Sequence, residues 1–419
     1  MEKVLLVTIK LKSDRSNWGV DDIIEEMEEL TLTCGAEIID NVTAVIEKPT
    51  PNLFVGKGKT DEIAMLCAEL GIDTVVFSCD LSGTQQRNLE EVLGRKTIDR
   101  TQLILHIFAK HAHSPEGKMQ VELAQLQYML PRLIGKGIIL SRMGGGIGTS
   151  GPGEQKLEVD RRRIRKKIDK LKNDLSGFSQ HRQTIRKKRK DNAVPTIALV
   201  GYTNAGKSTL LNALTGASQV VANSLFTTLD TLSKKLVLPN GEQVILSDTV
   251  GFLQHLPHHL IEAFKATLEE VVDADLLIHV LDVSHPRVYE HHESVVEVLK
   301  ELKADSRPLI TALNKIDLLD DKAWLEKLKN DFVNAIAISA TSKANFELLF
   351  LEIEKNFASK MVCADLKIPN SRMDLVNLFY KEARVEKIKY SADSILVSLT
   401  ISKILYHKLL QDNDVTLIS

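Results

Sequence analysis

Cysteine is scarce in this chain of 419 residues: Cys34, Cys67, Cys79 and Cys363 stand far apart and form no CxxC pair. Such spacing supports neither a disulfide framework nor a zinc site, and buried or neutral thiols are expected. Long hydrophobic runs are missing too. No apolar stretch approaches the roughly 20 residues a membrane helix requires, so no stable membrane insertion is expected. The opening MEKVLLVTIK alternates like a strand and lacks the longer apolar core and cleavage site of a secretory signal. A cytoplasmic location is expected, with partial membrane association left open, together with a monomeric state. Charge of one sign does not dominate either: 54 Lys and Arg face 56 Asp and Glu, for a net charge of -2. That balance hides an asymmetry, because residues 161–190 hold 14 Lys/Arg against two acids and leave about -14 elsewhere.

What is present falls into blocks. A hydrophobic fraction of 43% and a charged fraction of 26% over this length suit about two to four compact units, each with its own core. From Val4 to about Asp99, β-branched runs (VLLVTI, NVTAVI, DTVVFS) alternate with helical patterns (DDIIEEMEELTL, KTDEIAMLCAEL). That rhythm predicts βαβ units and a small parallel sheet. The GKGK at 56–59 is too short for a phosphate loop and reads better as a turn opening a helix. Residues 114–190 differ. Met119, Leu123, Leu126, Leu130 and Leu133 recur at heptad spacing, as do Leu157, Ile164, Ile168, Leu171, Leu175 and Phe178, interrupted by Arg161. Two helices packed as an antiparallel hairpin follow from that pattern. Between them, residues 135–155 carry eight of the 22 glycines, which forbids a regular element.

From Thr196 the strand–helix alternation returns and runs to about Ala358. The fold class expected is α/β: an N-terminal α/β domain (1–113), a helical hairpin with a Gly-rich loop and basic linker (114–190), a doubly wound α/β domain (191–358), and a small C-terminal α+β domain (359–419).

Chemistry concentrates in the third block. GYTNAGKS at 201–208 follows the strand TIALV and opens the helix STLLNALTG, the context that G-x-x-x-x-G-K-[ST] requires. Gly201, Tyr202, Thr203, Asn204, Ala205, Gly206, Lys207, Ser208 and Thr209 are expected to line the nucleotide. Glycines allow close backbone approach, N–H groups and the helix N-terminus attract phosphate, and Lys207 reaches the β and γ phosphates. A glycine-rich turn that binds nothing is the competing reading. SDTVG at 247–251 places Asp248 to hold magnesium and the Gly251 amide to meet the γ-phosphate. Ser208, Thr228 and Asp248 are the expected Mg2+ residues, with Thr227 competing for Thr228. Lys207, Thr228 and Gly251 are the expected catalytic set. NKID at 314–317 argues guanine, because the Asp317 carboxylate accepts both N1–H and N2–H, a donor pair adenine lacks. Asn314 is expected to brace neighbouring loops and Lys315 to lie along the base. SATSK at 339–343 brings Ser339 and the Ala340 amide to the guanine carbonyl.

Two further features qualify the site. Phe252 stands where many GTPases of this design carry the glutamine that orients the attacking water, and a phenyl ring cannot do so. Slow intrinsic hydrolysis, stimulated by a partner, is expected. His255, His258 and His259 read as a polar switch loop rather than a metal cluster, since no carboxylate or cysteine shares the segment.

These residues resemble the HflX GTPases of the translation-factor-related class. The matching stretches are DRTQLILHIFAKHA and GKMQVELAQLQYMLPRL within 99–135, GGGIGTSGPGEQKLEVDRRRI at 144–164, LVGYTNAGKSTLLNALTG at 199–216, and SDTVGFLQHLPHHLIEAFKATLEE at 247–270. The sequence departs from the family at Ser150, usually Arg, and at Gln155, often Thr. The resemblance implies an N-terminal α/β domain with a helical hairpin, a Ras-like doubly wound P-loop G domain over 191–358, association with the large ribosomal subunit and a role in dissociating stalled or idle ribosomes under stress. Some relatives are reported to use ATP in the N-terminal part, but no second Walker motif is visible here. Arg161, Arg162, Arg163, Arg165, Lys166 and Lys167, then Arg186, Lys187, Lys188, Arg189 and Lys190, form a cationic helix and linker suited to RNA phosphates. A solvated helix face is the blander reading. GTP/GDP and the large ribosomal subunit with its RNA are the expected partners; a nucleotide switch acting on a protein or membrane partner without RNA is the alternative.

Overall fold

A computed structural model describes residues 1–13, 18–133, 152–191, 194–217, 226, 232–253, 265–358, 361–410, 412 and 414–418. The chain divides into two compact units. One comprises residues 1–178 with 222–230 and 256–265, the other 179–221, 231–255 and 266–419.

In the first unit, β1 (Lys3–Leu11), β2 (Glu37–Ile46), β3 (Thr74–Phe77) and β4 (Lys96–Asp99) form a parallel sheet in the order β2-β1-β3-β4. Helices α1 (Val20–Cys34), α2 (Lys57–Glu69), α3 (Gly83–Leu93) and α4 (Arg100–His111) connect or follow the strands. The βαβ rhythm read from the sequence is therefore realised. GKGK lies at the start of α2, with Gly56 as its N-cap. Leu5, Val7, Ile63, Val75, Phe77 and Leu89 are fully buried in the core of this sheet. Burying side chains of this kind contributes about 1.5–3 kcal/mol each.

The two helices expected from the heptads are present as α5 (Pro115–Arg132) and α6 (Pro152–Asp191). Leu123, Ile168 and Leu171 are buried together, flanked by Met119, Leu126, Leu130, Ile164 and Leu175. Phe178, expected to continue that seam, is instead 36% exposed and outside this cluster. Ser114 caps α5 by accepting from Gly117 N at 2.9 Å. Residues 134–151, most of the glycine-dense segment, lie outside the described residues.

The carboxyl ends of β3 and β4 are closed by a polar network. Asp99 is fully buried and accepts from Leu81 N, Gln102 N, the Tyr128 hydroxyl and Arg132 Nη2 at 3.1, 2.8, 2.8 and 3.0 Å. Burial pushes the Asp99 carboxyl above its ordinary pKa, against the pull of those donors. The Arg132 guanidinium also lies 3.4 Å from the centre of the Tyr128 ring and donates to Leu81 O.

In the second unit, β5 (Thr196–Gly201), β6 (Leu232–Val237), β7 (Gln243–Asp248), β8 (Leu276–Asp282), β9 (Leu309–Asn314) and β10 (Ala335–Ala337) form a sheet ordered β10-β9-β8-β5-β7-β6. All pairings are parallel except β6 with β7, so the doubly wound expectation holds with one antiparallel edge strand. The helices are α7 (Lys207–Thr215), α8 (Lys265–Asp273), α9 (Val288–Glu301), α10 (Lys322–Asp331) and α11 (Phe346–Ala358). Beyond them, β11 (Met361–Pro369), β12 (Arg384–Tyr390), β13 (Ser394–Ser402) and β14 (Thr416–Leu417) form an antiparallel sheet with α12 (Met373–Glu382) and α13 (Lys403–Leu410), as an α+β appendage requires. All four cysteines are free thiols, and burial raises Cys34 to about 11. No helix among the described residues is long and apolar enough to cross a membrane.

Candidate functional site

The run TIALVG is apolar on both faces, suits a central parallel strand, and places the turn GYTNAGKS at the carboxyl end of β5. Three glycines mark close approaches. A Cβ on Gly201 would stand 2.4 Å from Val280 O, and one on Gly206, at φ +93°, would stand 2.3 Å from Asn314 Nδ2. At Gly251 it would meet Thr203 Cα at 2.8 Å and Lys207 Nζ at 3.1 Å. A side chain at any of the three would displace the loop or its brace. Asn204 adopts the left-handed conformation, with φ +59°.

Lys207 begins α7 and is buried, its Nζ donating to Gly201 O at 3.1 Å and Tyr202 O at 2.7 Å. Its ammonium thus lies inside the loop, and burial lowers its pKa to about 8 against the Asp248 carboxylate. The neighbouring Ser208 hydroxyl donates to Asp248 Oδ2 at 2.6 Å, both groups buried. A hydroxyl and a carboxylate brought together at a helix start are hard oxygen donors that fit magnesium. Gly251 and Phe252 are laced to the phosphate loop: Phe252 N donates to Gly201 O at 3.1 Å, and Thr203 N donates to Phe252 O at 2.9 Å. The Phe252 ring is only 2% exposed.

The second cluster of motifs meets the first through Asn314. Its Nδ2 donates to Ala205 O at 2.9 Å and its Oδ1 accepts from Ala340 N at 2.9 Å. One buried amide thereby ties GYTNAGKS to SATSK, as the bracing expectation had it. Lys315, at φ +68°, carries its ammonium to Asp282 Oδ2 at 2.6 Å, and Asp317 is exposed in the short helical turn that follows. Ser339 is fully buried and accepts from Ser342 N at 3.0 Å; Thr209 is half-buried on α7. Thr227, Thr228, His255, His258 and His259 lie outside the described residues.

Sequence reasoning missed three features. Tyr202 is stacked flat on His291, with ring centroids 3.9 Å apart and planes 5° from parallel, and burial lowers His291 to about 3. His279 on β8 is fully buried, its ring centroid 5.1 Å from that of His292, its pKa driven far down by burial. No sequence pattern marked these histidines, which are dispersed between two elements. The third feature corrects the view of the basic run as one RNA-facing surface. Arg182, Arg186 and Arg189 pair with Glu269, Glu270 and Asp273 of α8 at 3.0–3.6 Å. Upstream, Arg161 pairs with Glu158, Arg163 with Asp160 and Lys167 with Glu122. Arg162, Arg165 and Lys166 are exposed, as is Lys187, whereas the side chains of Lys188 and Lys190 lie outside the description. Arginines at i, i+4 and i+7, and acids at i, i+1 and i+4 elsewhere, each share one helix face, but nothing in the sequence tied the two faces to each other.

Known protein families correspond to this layout. The GTP-binding GTPase N-terminal model matches residues 21–109, the GTP-binding GTPase middle-region model matches 111–189, and the 50S ribosome-binding GTPase model matches 196–315. A GTPase HflX from Caldanaerobacter subterraneus subsp. tengcongensis is 46% identical over 91% of this chain and 88% of its own length. GTPase HflX from Escherichia coli (strain K12) is 40% identical over 92% and 90%. Among solved structures, a GTP-binding protein from the archaeon Sulfolobus solfataricus in complex with GDP is 26% identical over 86% of this chain and 99% of its own, with a TM-score of 0.44. The phosphate turn, its asparagine brace and the two HflX relatives together place the chain in the HflX family, whose members bind and hydrolyse GTP.

Proposed function

We propose that this GTPase binds the large ribosomal subunit through its RNA and uses its nucleotide cycle there to dissociate stalled or idle ribosomes under stress. The observation that carries the RNA reading is the cationic face of α6, where Arg162, Arg165, Lys166, Lys170 and Lys172 are exposed. Guanidinium and ammonium groups spaced along a helix suit the phosphate backbone of folded RNA, and neutralising each phosphate releases a bound counterion. Support also comes from the family description that matches residues 196–315, a 50S ribosome-binding GTPase. In this reading the functional blocks are 1–113, 114–190, 191–358 and 359–419.

At the nucleotide, backbone amides from Gly201 to Ser208 and the N-terminus of α7 hold the phosphates, flanked by Thr209. Lys207 turns from the carbonyls of Gly201 and Tyr202 to the β and γ phosphates, which restore the charge that burial disfavours. Ser208 and Asp248 would hold magnesium, with Thr228 the expected further ligand, and the ion would supply positive charge that offsets that of the phosphates. Gly251 offers its amide to the γ-phosphate, at a position where any side chain would crowd Thr203 and Lys207. Asp317 selects guanine, Lys315, steadied by Asp282, flanks the base, and Ser339 and Ala340 close the pocket through Asn314. The buried Phe252 orients no water, so the isolated protein turns over slowly and the partner supplies what is missing.

The test is GTP turnover with and without purified large subunits, together with co-sedimentation of an Arg162→Glu, Arg165→Glu, Lys166→Glu variant. Stimulation on the order of 10³ is expected, with weaker and less salt-dependent binding by the variant and unchanged GTP affinity. Unstimulated turnover, or equal co-sedimentation of the two proteins, would favour a switch acting on a protein or membrane partner.

A further inference from the structure

Tyr202, the second residue of the phosphate turn, is buried, and its ring lies flat on that of His291 in α9, with centroids 3.9 Å apart and planes 5° from parallel. His291 is buried as well, and the ring of His285 stands against it at 4.4 Å and 38°. Around it on α9, Val288, Val295, Val298 and Leu299 are buried, so the imidazole is presented by a packed helix. Two flat rings in contact limit each other's tilt and slide, which an aliphatic contact does far less. The orientation of the Tyr202 ring is therefore set from α9.

The backbone of Tyr202 passes that constraint directly to the two groups assigned to the γ-phosphate. Its carbonyl accepts from Lys207 Nζ at 2.7 Å. Its main chain pairs in parallel with that of Phe252, through Phe252 N donating to Gly201 O at 3.1 Å and Thr203 N donating to Phe252 O at 2.9 Å. No slack remains beside this pairing, since a Cβ on Gly251 would stand 2.8 Å from Thr203 Cα and 3.1 Å from Lys207 Nζ. A shift of the turn is thus felt at once by Lys207 and Gly251. We propose that His291 is a positioning residue for GTP hydrolysis: its ring clamps Tyr202, fixes the phosphate turn against Phe252, and so sets where Lys207 and the Gly251 amide meet the γ-phosphate. This rests on the assignment of those two groups to the γ-phosphate. The bonds that join the turn to SATSK through Asn314 involve neither ring, so nucleotide binding should survive loss of the stack.

Misplacing a reacting group by about 1 Å can cost about 10²-fold in rate, and loss of one clamp should cost less. In the full-length protein, His291→Leu keeps an apolar side chain of similar size in the buried site but removes the flat ring. It should lower the single-turnover rate of GTP hydrolysis about tenfold, with GDP affinity within about twofold. His291→Phe restores a ring against Tyr202 and should recover most of the rate. A packing role alone would give the opposite pattern, a lower unfolding temperature with an unchanged rate. Tyr202→Leu should be about as slow as His291→Leu, and the double variant no slower than the slower single one, because both act through one contact. His291→Met, which fills the same space with a flexible chain, should show the same loss and serves if the leucine variant folds poorly. A normal rate in His291→Leu or His291→Met, a matching loss of GDP affinity, no recovery in His291→Phe, or multiplied losses in the double variant would each overturn the proposal. Gly251→Ala separates the two ideas: if its rate stays normal, the γ-phosphate assignment of Gly251 fails, whatever the His291 variants do.

Discussion

Among the described residues three aspartates end parallel strands, and two of them are fully buried: Asp99 closes β4 and Asp248 closes β7. Their surroundings differ in kind. Asp99 takes two backbone amides, a tyrosine hydroxyl and a guanidinium, a set of donors that the chain itself supplies. Asp248 takes the hydroxyl of Ser208, and the ammonium of the adjacent Lys207 lies against the carbonyls of the phosphate turn. The carboxyl edge of a parallel sheet is the usual place for a ligand, yet the first unit fills that edge at β4 with its own side chains. Position in the fold is thus insufficient to identify a site. The decisive property is whether the buried polar groups answer one another or gather around oxygen and nitrogen atoms that suit a ligand.

This contrast is sharpest under substitution. Asp99→Ala leaves the Arg132 guanidinium beside Leu81 O and Tyr128 without its carboxylate, and should destabilise the protein by about 3 kcal/mol. Thermal or denaturant unfolding measures that loss, with GTP affinity expected to stay within about twofold. Lys207→Ala should do the reverse. Turnover should fall by about 10²–10³-fold, as for loss of a preorganised donor to developing charge, with little loss of unfolding temperature, because a buried cation is removed with it. Loss of GTP turnover in folded Asp99→Ala, or retained turnover in Lys207→Ala, would break the comparison.

The buried histidines sharpen it through pH. His279 and His291 have folded-state pKa values lowered by burial, His291 to about 3, against about 6.5 in the unfolded chain. Below that unfolded value the unfolded state binds more protons, so stability falls on acidification, for His291 through the window from about 6.5 to 3. Each contributes a slope of up to about 1.4 kcal/mol per pH unit. Unfolding followed between pH 7 and 5 should lose stability, and His291→Phe, which keeps a ring against Tyr202, should flatten the curve. An unaltered pH profile would mean that His291 is hydrated in a way its burial disallows.

Much of this architecture was legible in the sequence because it rests on local periodicity. The strands TIALV and EQVILSD, the heptads from Met119 to Leu175, and the turn that opens α7 are all written in residues close together along the chain. The asparagine brace was legible for a different reason: NKID and SATSK are functional motifs whose roles fix their spatial relation. Arg186 and Glu270 were read without each other, since pairing across 84 positions leaves no periodic trace. The basic run consequently looked like one surface although its downstream arginines face carboxylates. Asp99 gave no warning either. At the start of α4 it reads as a helix cap, which it is through Gln102 N, while its bonds to Tyr128 and Arg132 depend on a helix that arrives later in the chain.

The smallest expected effect tests how tightly the closed edge is packed. Gly83 is the first residue of α3, where a Cβ would stand 2.9 Å from Arg132 Cα and 3.0 Å from its Cγ. The backbone of α5 must yield to accommodate a methyl group, whereas a flexible side-chain tip alone could have moved aside. Gly83→Ala should therefore cost about 1 kcal/mol, the lower end of an overpacked contact, partly offset by the better helix propensity of alanine. Because Arg132 also bonds Asp99, the loss should be smaller, though still present, in an Asp99→Ala background, where one of the anchors holding this end of α5 is gone. A double-mutant cycle on unfolding free energy measures that coupling. Additive losses would show that α3 and the Asp99 network stabilise the first unit independently, and that its carboxyl edge is less rigidly filled than the distances imply.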